Sequence, residues 1–184
     1  MKRAIIVHGL QGHPREAWFP YLSAELEKRK FSVSVPQLPN PASPDVRPWV
    51  AELAKTAHSP DENLFLIGHS LGCITILRYL ESLQEGKTVG GVVMVSGFAQ
   101  GIGIPEISSF FLFPINWAKI RSHSKKFTAI NSDNDRHVPL KYGEELKEKL
   151  GAKLIIEKGA GHIGEGDKCR ILPSVLKAVL EMSK

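Results

Sequence analysis

The strongest constraint on the fold is the repeated alternation of short apolar runs with longer helical segments. Six runs have the length and composition of buried strands: residues 4–9, 31–35, 63–68, 90–97, 126–132 and 152–159. Apolar residues at helical spacing lie between or after them, at 15–30, 45–57, 71–82, 142–151 and 167–182. Nearly all-apolar strands joined by helices are typical of a parallel sheet that is covered on both faces. We therefore predict an α/β fold with a mostly parallel six-stranded sheet flanked by helices.

The length and charge of the chain limit the classes of protein it can represent. Its 184 residues predict a single domain spanning 1–184, large enough to bury about 70% of the surface of the unfolded chain. Twenty-four Lys and Arg against nineteen Asp and Glu give a formal net charge of +5. The basic residues occur in short groups without interleaved aromatic side chains, which argues against nucleic acid as a partner.

Cysteine usage and hydropathy predict the environment of the chain. Cys73 and Cys169 match no metal-ligand spacing, so we expect two reduced thiols and neither a metal nor another cofactor. The apolar run near the N-terminus is too short for a signal peptide, and no run is long enough to cross a membrane. We therefore expect a soluble, cytoplasmic protein without a membrane span.

A serine between two glycines, in the stretch LIGHSLG at 66–72, is the main candidate for chemistry. The spacing G-x-S-x-G is weak evidence alone, because three fixed residues recur by chance. Its context is more specific, since a predicted strand leads into the turn and a predicted helix follows at once. This order is typical of a nucleophile elbow, in which the serine oxygen projects from a strained turn. The turn also places Ser70 at a helix N-terminus, where the N–H of Leu71 can stabilise negative charge.

A serine nucleophile requires a base and an acid further along the chain. His162 lies in a glycine-rich stretch just past the sixth predicted strand, and Asp133 and Asp135 lie just past the fifth. Because the carboxyl ends of parallel strands meet at one edge of the sheet, we expect these residues to approach Ser70. The spacing does not decide between Asp133 and Asp135.

Aromatic residues predict the wall of a binding pocket. The connection at 104–122 is long, contains two prolines and includes Trp117. We interpret it as a lid or a pocket wall, with packing in the core as the alternative. Together with His13 after the first strand and Phe98 after the fourth, Trp117 would form an apolar pocket of modest size for short or medium acyl chains.

Several stretches together resemble a known family. They are G-H-S-x-G at the elbow, S-D-x-D-x-x-V-P after the fifth strand, G-x-G-H after the sixth, and the segments FPYLSAELEKRKFSVSVPQLPNP and PINWAKIRSHSKKF. With these features the chain resembles the small serine hydrolases of the retinoblastoma-binding protein 9 family, from about residue 4 to residue 180. The resemblance implies a compact α/β-hydrolase fold with no large cap domain, and activity on small esters.

The resemblance also implies roles for individual residues. The acid is expected at Asp135, because an apolar residue and proline follow it after two positions. A His-Gly pair ends the first strand, as in many α/β-hydrolases, so the N–H of Leu10 is the expected second oxyanion donor and that of Gln11 the next candidate. The sequence departs from the family pattern at Arg136 and His137, two bulky residues beside the acid that could alter access to the pocket.

These observations predict a serine hydrolase that cleaves small carboxylic esters through a Ser70 acyl-enzyme, with His162 as base and Asp135 as orienting acid. One alternative is a catalytically weak or inactive binding module on a hydrolase scaffold. Another is a metal site at His8 and His13, although no carboxylate or cysteine cluster accompanies them at ligand spacing. The sequence indicates a small-molecule ester as substrate and identifies no protein partner.

Overall fold

The computed structural model describes residues 1–184 and contains one six-stranded sheet. Its strands are β1 (Arg3–Val7), β2 (Ser32–Ser34), β3 (Leu64–His69), β4 (Gly91–Val95), β5 (Phe127–Ser132) and β6 (Lys153–Glu157). They lie in the order β2-β1-β3-β4-β5-β6, and every neighbouring pair is parallel. The predicted six-stranded parallel sheet is therefore confirmed.

Helices cover both faces of this sheet. They are α1 (Phe19–Glu27), α2 (Val46–Ala57), α3 (Leu71–Ser82), α4 (Trp117–His123), α5 (Lys141–Leu150) and α6 (Pro173–Met182). Side chains of α2, α3, α4 and α5 form one hydrophobic cluster, and side chains of α1 and α6 form the other. Strand β1 serves both, because Ile5 and Val7 belong to the first cluster while Ala4 and Ile6 belong to the second. This two-sided burial explains why the inner strands β1, β3, β4 and β5 are almost wholly buried, whereas the edge strands β2 and β6 are partly exposed.

Two helices begin later in the chain than their apolar spacing predicts. Helix α1 begins at Phe19 and α6 begins at Pro173, and each has a proline in its first turn. Proline fits there because the first N–H groups of a helix have no partner within the helix. As a result, residues 158–172 form a loop rather than a helical start, and this loop carries His162.

The connection at 104–122 forms a 3₁₀ helix at Pro105–Phe111 followed by α4. Ile107, Phe110 and Ile120 are buried in the cluster that includes α2 and α3. Phe110 packs edge-on against Trp49 with ring centroids 5.6 Å apart. The segment therefore packs onto the core, which was the alternative prediction, and no large cap is inserted. None of the helices is both long and apolar enough to cross a membrane.

The first turn of α3 packs directly against the end of β1, and this contact excludes a side chain at Gly72. A Cβ atom there would lie 2.2 Å from the carbonyl oxygen of Val7, a backbone atom that cannot rotate away. We expect Gly72→Ala to lower the free energy of unfolding by about 2 kcal/mol or more, measured by urea denaturation. Gly101→Ala is the control, since a Cβ atom there meets nothing within 4 Å. Equal unfolding midpoints for the two variants would contradict this account.

Candidate active site

Ser70 occupies a sharp turn between a strand and a helix. Strand β3 ends at His69 and α3 begins at Leu71, so Ser70 alone makes the turn, with φ 52° and ψ −120°. A positive φ is costly for a residue with a side chain and persists only where the surroundings enforce it. Here the N–H of Ser70 donates to the carbonyl of Val95, and its own carbonyl accepts from the N–H of Cys73, both at 2.9 Å. The strained turn directs Oγ away from the sheet edge.

The loops after β5 and β6 bring an imidazole and a carboxylate to this serine. His162 Nε2 lies 2.9 Å from Ser70 Oγ. On the other side of the ring, His162 Nδ1 lies 2.8 Å from Asp135 Oδ2. The His162 side chain is 21% exposed and the Asp135 side chain is fully buried. Three residues that are far apart in sequence therefore form one continuous line of hydrogen bonds.

The buried carboxylate of Asp135 is held ionised by its neighbours. Burial by itself raises the pKa of this group, but hydrogen bonds from His162 and from the N–H groups of Val138 and His137 outweigh it, so the pKa is lowered. The two backbone N–H groups donate to Oδ1 at 2.9 and 2.8 Å, which leaves Oδ2 for the imidazole. A carboxylate fixed in this way selects the His162 tautomer with the proton on Nδ1 and an accepting Nε2.

Three side chains just before Asp135 hold the loop that carries His162. Asp133 Oδ1 accepts from the N–H of Gly159 at 2.8 Å, Ser132 Oγ from that of Ala160 at 3.0 Å, and Asn134 Oδ1 from that of Gly161 at 2.8 Å. Asp135 then binds the side chain of the next residue in that loop. Asp133 therefore contacts the backbone beside the imidazole and not the imidazole itself. Neither Ser132 nor Asn134 is singled out by the sequence, although both belong to the S-D-N-D run.

The carbonyl of His162 accepts two side-chain hydrogen bonds. His69 Nε2 lies 2.9 Å from this oxygen and Ser96 Oγ lies 3.0 Å from it. Burial and the neighbouring His162 lower the pKa of His69 to about 4, so its ring is neutral at neutral pH. Its proton is on Nε2, and the buried Nδ1 has no partner. His69 therefore positions the backbone of His162.

The next carbonyl of this loop is held as well, by the indole N–H of Trp18, which donates to Ile163 at 3.0 Å. Trp18 is fully buried and packs edge-on against His69 with ring centroids 6.3 Å apart. The apolar core under α1 thus supports the position of the imidazole. Trp18 lies within the segment 15–30, for which the sequence predicts only a helix.

Backbone N–H groups beside Ser70 provide a place for negative charge. Leu71 is the first residue of α3, where an N–H has no partner within the helix. The N–H of Leu10 makes no hydrogen bond in the chain, whereas that of Gln11 donates to the carbonyl of Pro41 at 2.7 Å. Leu10 and Ser70 line the same cleft. Of the two candidates in this loop, Leu10 is the one with a free donor.

His8 shapes the same loop and has no ring nitrogen to spare. Its Nε2 accepts from the N–H of Leu38 at 3.0 Å, so Nδ1 carries the proton and donates to the carbonyl of Gly9 at 2.9 Å. Burial lowers the pKa of His8, which keeps the ring neutral. Both nitrogens are thus committed to backbone groups on either side of the cleft wall, which disfavours the metal alternative.

The cleft over Ser70 and His162 has a volume of about 570 Å³ and is lined mostly by polar residues and glycine. His13 lines it as predicted, and Leu10 is its one hydrophobic lining residue. Phe98 and Trp117, which the sequence predicts at the pocket, do not line this cleft. Phe98 is 1% exposed and stacks against Phe111, and Trp117 packs against the same core cluster. Both aromatic side chains are used to bury the connection between β4 and β5.

The sequence predicts that His137, a bulky residue beside the acid, affects access to the pocket. It lines the cleft, and its ring packs edge-on against that of His162 with centroids 5.2 Å apart. Its N–H is one of the two that hold Asp135. His137, one of the two residues that depart from the family pattern, therefore lies directly against the imidazole of His162.

Comparison with known proteins assigns this arrangement to a family. A family model described as Serine hydrolase matches residues 4–181. The chain belongs to the serine hydrolase family. This serine hydrolase is 33% identical over 175 residues to YdeN of Bacillus subtilis, covering 95% of this chain and 92% of YdeN. It is 27% identical over 183 residues to the serine hydrolase RBBP9 of Rattus norvegicus, covering 97% and 95% of the two chains. The predicted family membership is confirmed.

Solved structures agree with the fold of this serine hydrolase. The crystal structure of the Bacillus subtilis ydeN gene product has a TM-score of 0.94 at 31% identity, covering 99% of this chain and 98% of that chain. Est1E from Butyrivibrio proteoclasticus has a TM-score of 0.73 at 13% identity, covering 98% and 88% of the chains, and shares the fold. The predicted α/β-hydrolase fold is confirmed, and the protein is a hydrolase.

The lowered pKa of Asp135 predicts a pH-dependent contribution to stability. A group whose pKa is depressed on folding stabilises the protein above its ordinary pKa of about 3.9, and this stabilisation is lost as the pH falls through the folded-state value. Asp135→Asn should therefore be less stable than wild type at neutral pH, with a difference that shrinks in acid. Urea denaturation at a series of pH values from neutral to acid measures it. If the difference in the free energy of unfolding between wild type and Asp135→Asn does not vary with pH, the charge of Asp135 does not stabilise the folded protein.

Ser96 predicts a loss of reactivity that exceeds any loss of stability. Ser96→Ala removes one of the two donors to the His162 carbonyl and leaves His69 in place. We expect the labelling rate of Ser70 by a fluorophosphonate to fall by about threefold to tenfold, since a misplaced base is costly. The rate is measured well below the melting temperature. Ser122→Ala, at an exposed serine of α4, is the control, and equal rates in the two variants would rule out a positioning role.

Proposed function

We propose that this serine hydrolase cleaves small carboxylic esters by acyl transfer, through a covalent acyl-enzyme on Ser70. The observation that carries the proposal is the line of hydrogen bonds from Ser70 Oγ through His162 to Asp135, at 2.9 and 2.8 Å. A serine hydroxyl is a weak nucleophile until a base removes its proton, and the accepting nitrogen of His162 lies within reach of that proton.

The first half of the reaction acylates the serine. His162 Nε2 accepts the Ser70 proton while Oγ forms a bond to the ester carbonyl carbon and the carbonyl electrons move onto oxygen. The imidazolium then donates this proton to the alcohol oxygen as the carbon–oxygen bond breaks. Asp135 holds the proton on Nδ1 and stabilises the imidazolium, and its lowered pKa keeps it ionised for this role.

The negative oxygen that develops needs hydrogen-bond donors. The N–H groups of Leu71 and Leu10 are proposed for this role, because both are unused and adjoin the cleft at Ser70. A donor of this kind contributes about 2.7–4 kcal/mol to transition-state stabilisation. They are held in place before substrate arrives, Leu71 by α3 and Leu10 by the loop that His8 anchors.

The second half of the reaction releases the acid. Water takes the position of the departed alcohol, gives a proton to His162 and attacks the acyl carbon, and Ser70 recovers its proton as the product leaves. The open polar cleft admits water readily, which supports hydrolysis over transfer to another acceptor. Its volume of about 570 Å³ suits a small ester.

Active-site labelling tests the proposal. Wild-type protein should be labelled by a fluorophosphonate at Ser70 and should hydrolyse p-nitrophenyl butyrate. Ser70→Ala should abolish labelling, and both Ser70→Ala and His162→Ala should lower kcat by about 10⁴-fold to 10⁶-fold, as removal of a nucleophile or base does in serine hydrolases. Ser122→Ala, in the control position, should label as wild type does.

The same experiment addresses the binding-module alternative. A folded wild-type protein that neither reacts with the fluorophosphonate nor releases p-nitrophenol would contradict the proposal and favour that alternative. Labelling at a serine other than Ser70, identified by peptide mass, would equally contradict it.

A further inference from the structure

The charge of the active-site cleft is opposite to that of the whole protein. The chain has a formal net charge of +5. Its cleft is lined by three carboxylates, Glu16, Glu165 and Asp167, and by no Lys or Arg. Leu10 is the one hydrophobic residue among those that line the cleft. The lining therefore points to a substrate with polar and positively charged groups.

Glu16 is the most buried of these carboxylates, since Glu165 and Asp167 are exposed. It is 8% exposed, yet it makes one hydrogen bond, from the N–H of His13 to Oε2 at 3.2 Å. No side chain of the protein donates to Glu16, and Glu16 has no ion-pair partner. A Cβ at Gly12 would lie 2.7 Å from Oε1, so a glycine leaves the space this oxygen occupies. Burial raises the pKa of Glu16 by more than the hydrogen bond from His13 lowers it, and the nearby Glu165 adds to the rise.

The other two carboxylates have partners within the chain. Glu165 pairs with Arg170 and accepts from the N–H of Ala17 at 2.6 Å. Asp167 accepts from the N–H of Gly164 at 3.3 Å. Arg170 is exposed and does not line the cleft, so it balances Glu165 from outside. Glu16 is thus the one buried carboxylate of the cleft wall, and no side chain pairs with it.

We propose that the cleft selects esters that carry a positively charged ammonium group, and that Glu16 is the specificity-determining residue. This inference rests on the proposed ester hydrolysis at Ser70. A cation beside Glu16 supplies a counter-charge to a carboxylate that folding has already largely removed from solvent, so binding requires limited further desolvation of Glu16. A neutral ester of the same shape leaves the carboxylate uncompensated.

Carbon-for-nitrogen isosteres test the charge without changing the shape. One pair is butyrylcholine and the ester in which carbon replaces the choline nitrogen, which places the charge on the alcohol side. The other is the p-nitrophenyl ester of trimethylammoniobutyrate and its carbon isostere, which places the charge on the acyl side. Activity is followed by acid release at about pH 8, where ordinary imidazoles are neutral.

We expect kcat/KM in one pair to favour the cationic ester by about tenfold or more, consistent with a partly desolvated ion pair. Glu16→Gln should reduce this ratio by about tenfold, and any general loss of activity cancels within the ratio. Glu144→Gln is the matched control, because it removes a charge from an exposed position on α5 outside the cleft. It should leave the ratio as in wild type.

The possible outcomes distinguish a failure of this inference from a failure of the proposed ester hydrolysis. Ester turnover with ratios near one in both pairs, or a preference that Glu16→Gln retains, would overturn the inference and leave the proposed hydrolysis standing. A loss of preference in Glu144→Gln as large as in Glu16→Gln would assign selectivity to overall charge and overturn the role of Glu16. Absence of both turnover and Ser70 labelling would overturn the proposed function itself.

Discussion

The contact between the start of α3 and the end of β1 determines the geometry of the rest of the site. The helix can begin so close to the strand only because position 72 lacks a side chain, and a chain that turns so sharply from β3 forces Ser70 to a positive φ. The cost of that backbone conformation is offset by a largely buried helix and by the hydrogen bond from the Ser70 N–H to β4. Because the strain is held by the core, the serine oxygen keeps one direction whether or not substrate is present, as preorganised catalysis requires.

A second set of contacts fixes the imidazole relative to that oxygen. Side chains of Ser132, Asp133 and Asn134 bind three successive N–H groups of the loop after β6, and Asp135 binds the ring that follows. His69 and Ser96 bind the carbonyl on the other side of the same residue. Each of these hydrogen bonds lies within or beside the parallel sheet, so the loop has few alternative positions. The hydrogen bonds from Ser70 through His162 to Asp135 therefore depend on contacts along the whole carboxyl edge of the sheet.

The residues that line the cleft differ from those of the apolar pocket that the sequence predicts. Aromatic residues in the long connection after β4 favour an apolar pocket when the sequence is considered alone. In the structure, Phe98 and Phe110 are buried against the core, because a connection with only a 3₁₀ helix and α4 needs its large side chains to pack at all. The cleft wall is left to the short loops after β1 and β6, which carry His13, Glu16 and Glu165.

Local apolar runs and the G-x-S-x-G motif are enough to predict the parallel sheet, the strand that leads into the elbow and the candidates Ser70 and His162, because the spacing of the motif has a backbone reason. Resemblance to a family was needed to choose Asp135 over Asp133, which are equivalent in spacing. Tertiary structure alone decided that Trp18, His69 and Ser96 hold the imidazole loop and that Glu16, not Phe98 or Trp117, lines the cleft. The reason is physical: an aromatic or a carboxylate side chain has the same local pattern whether it packs inward or lines a cleft, and only the neighbours that the fold supplies distinguish the two.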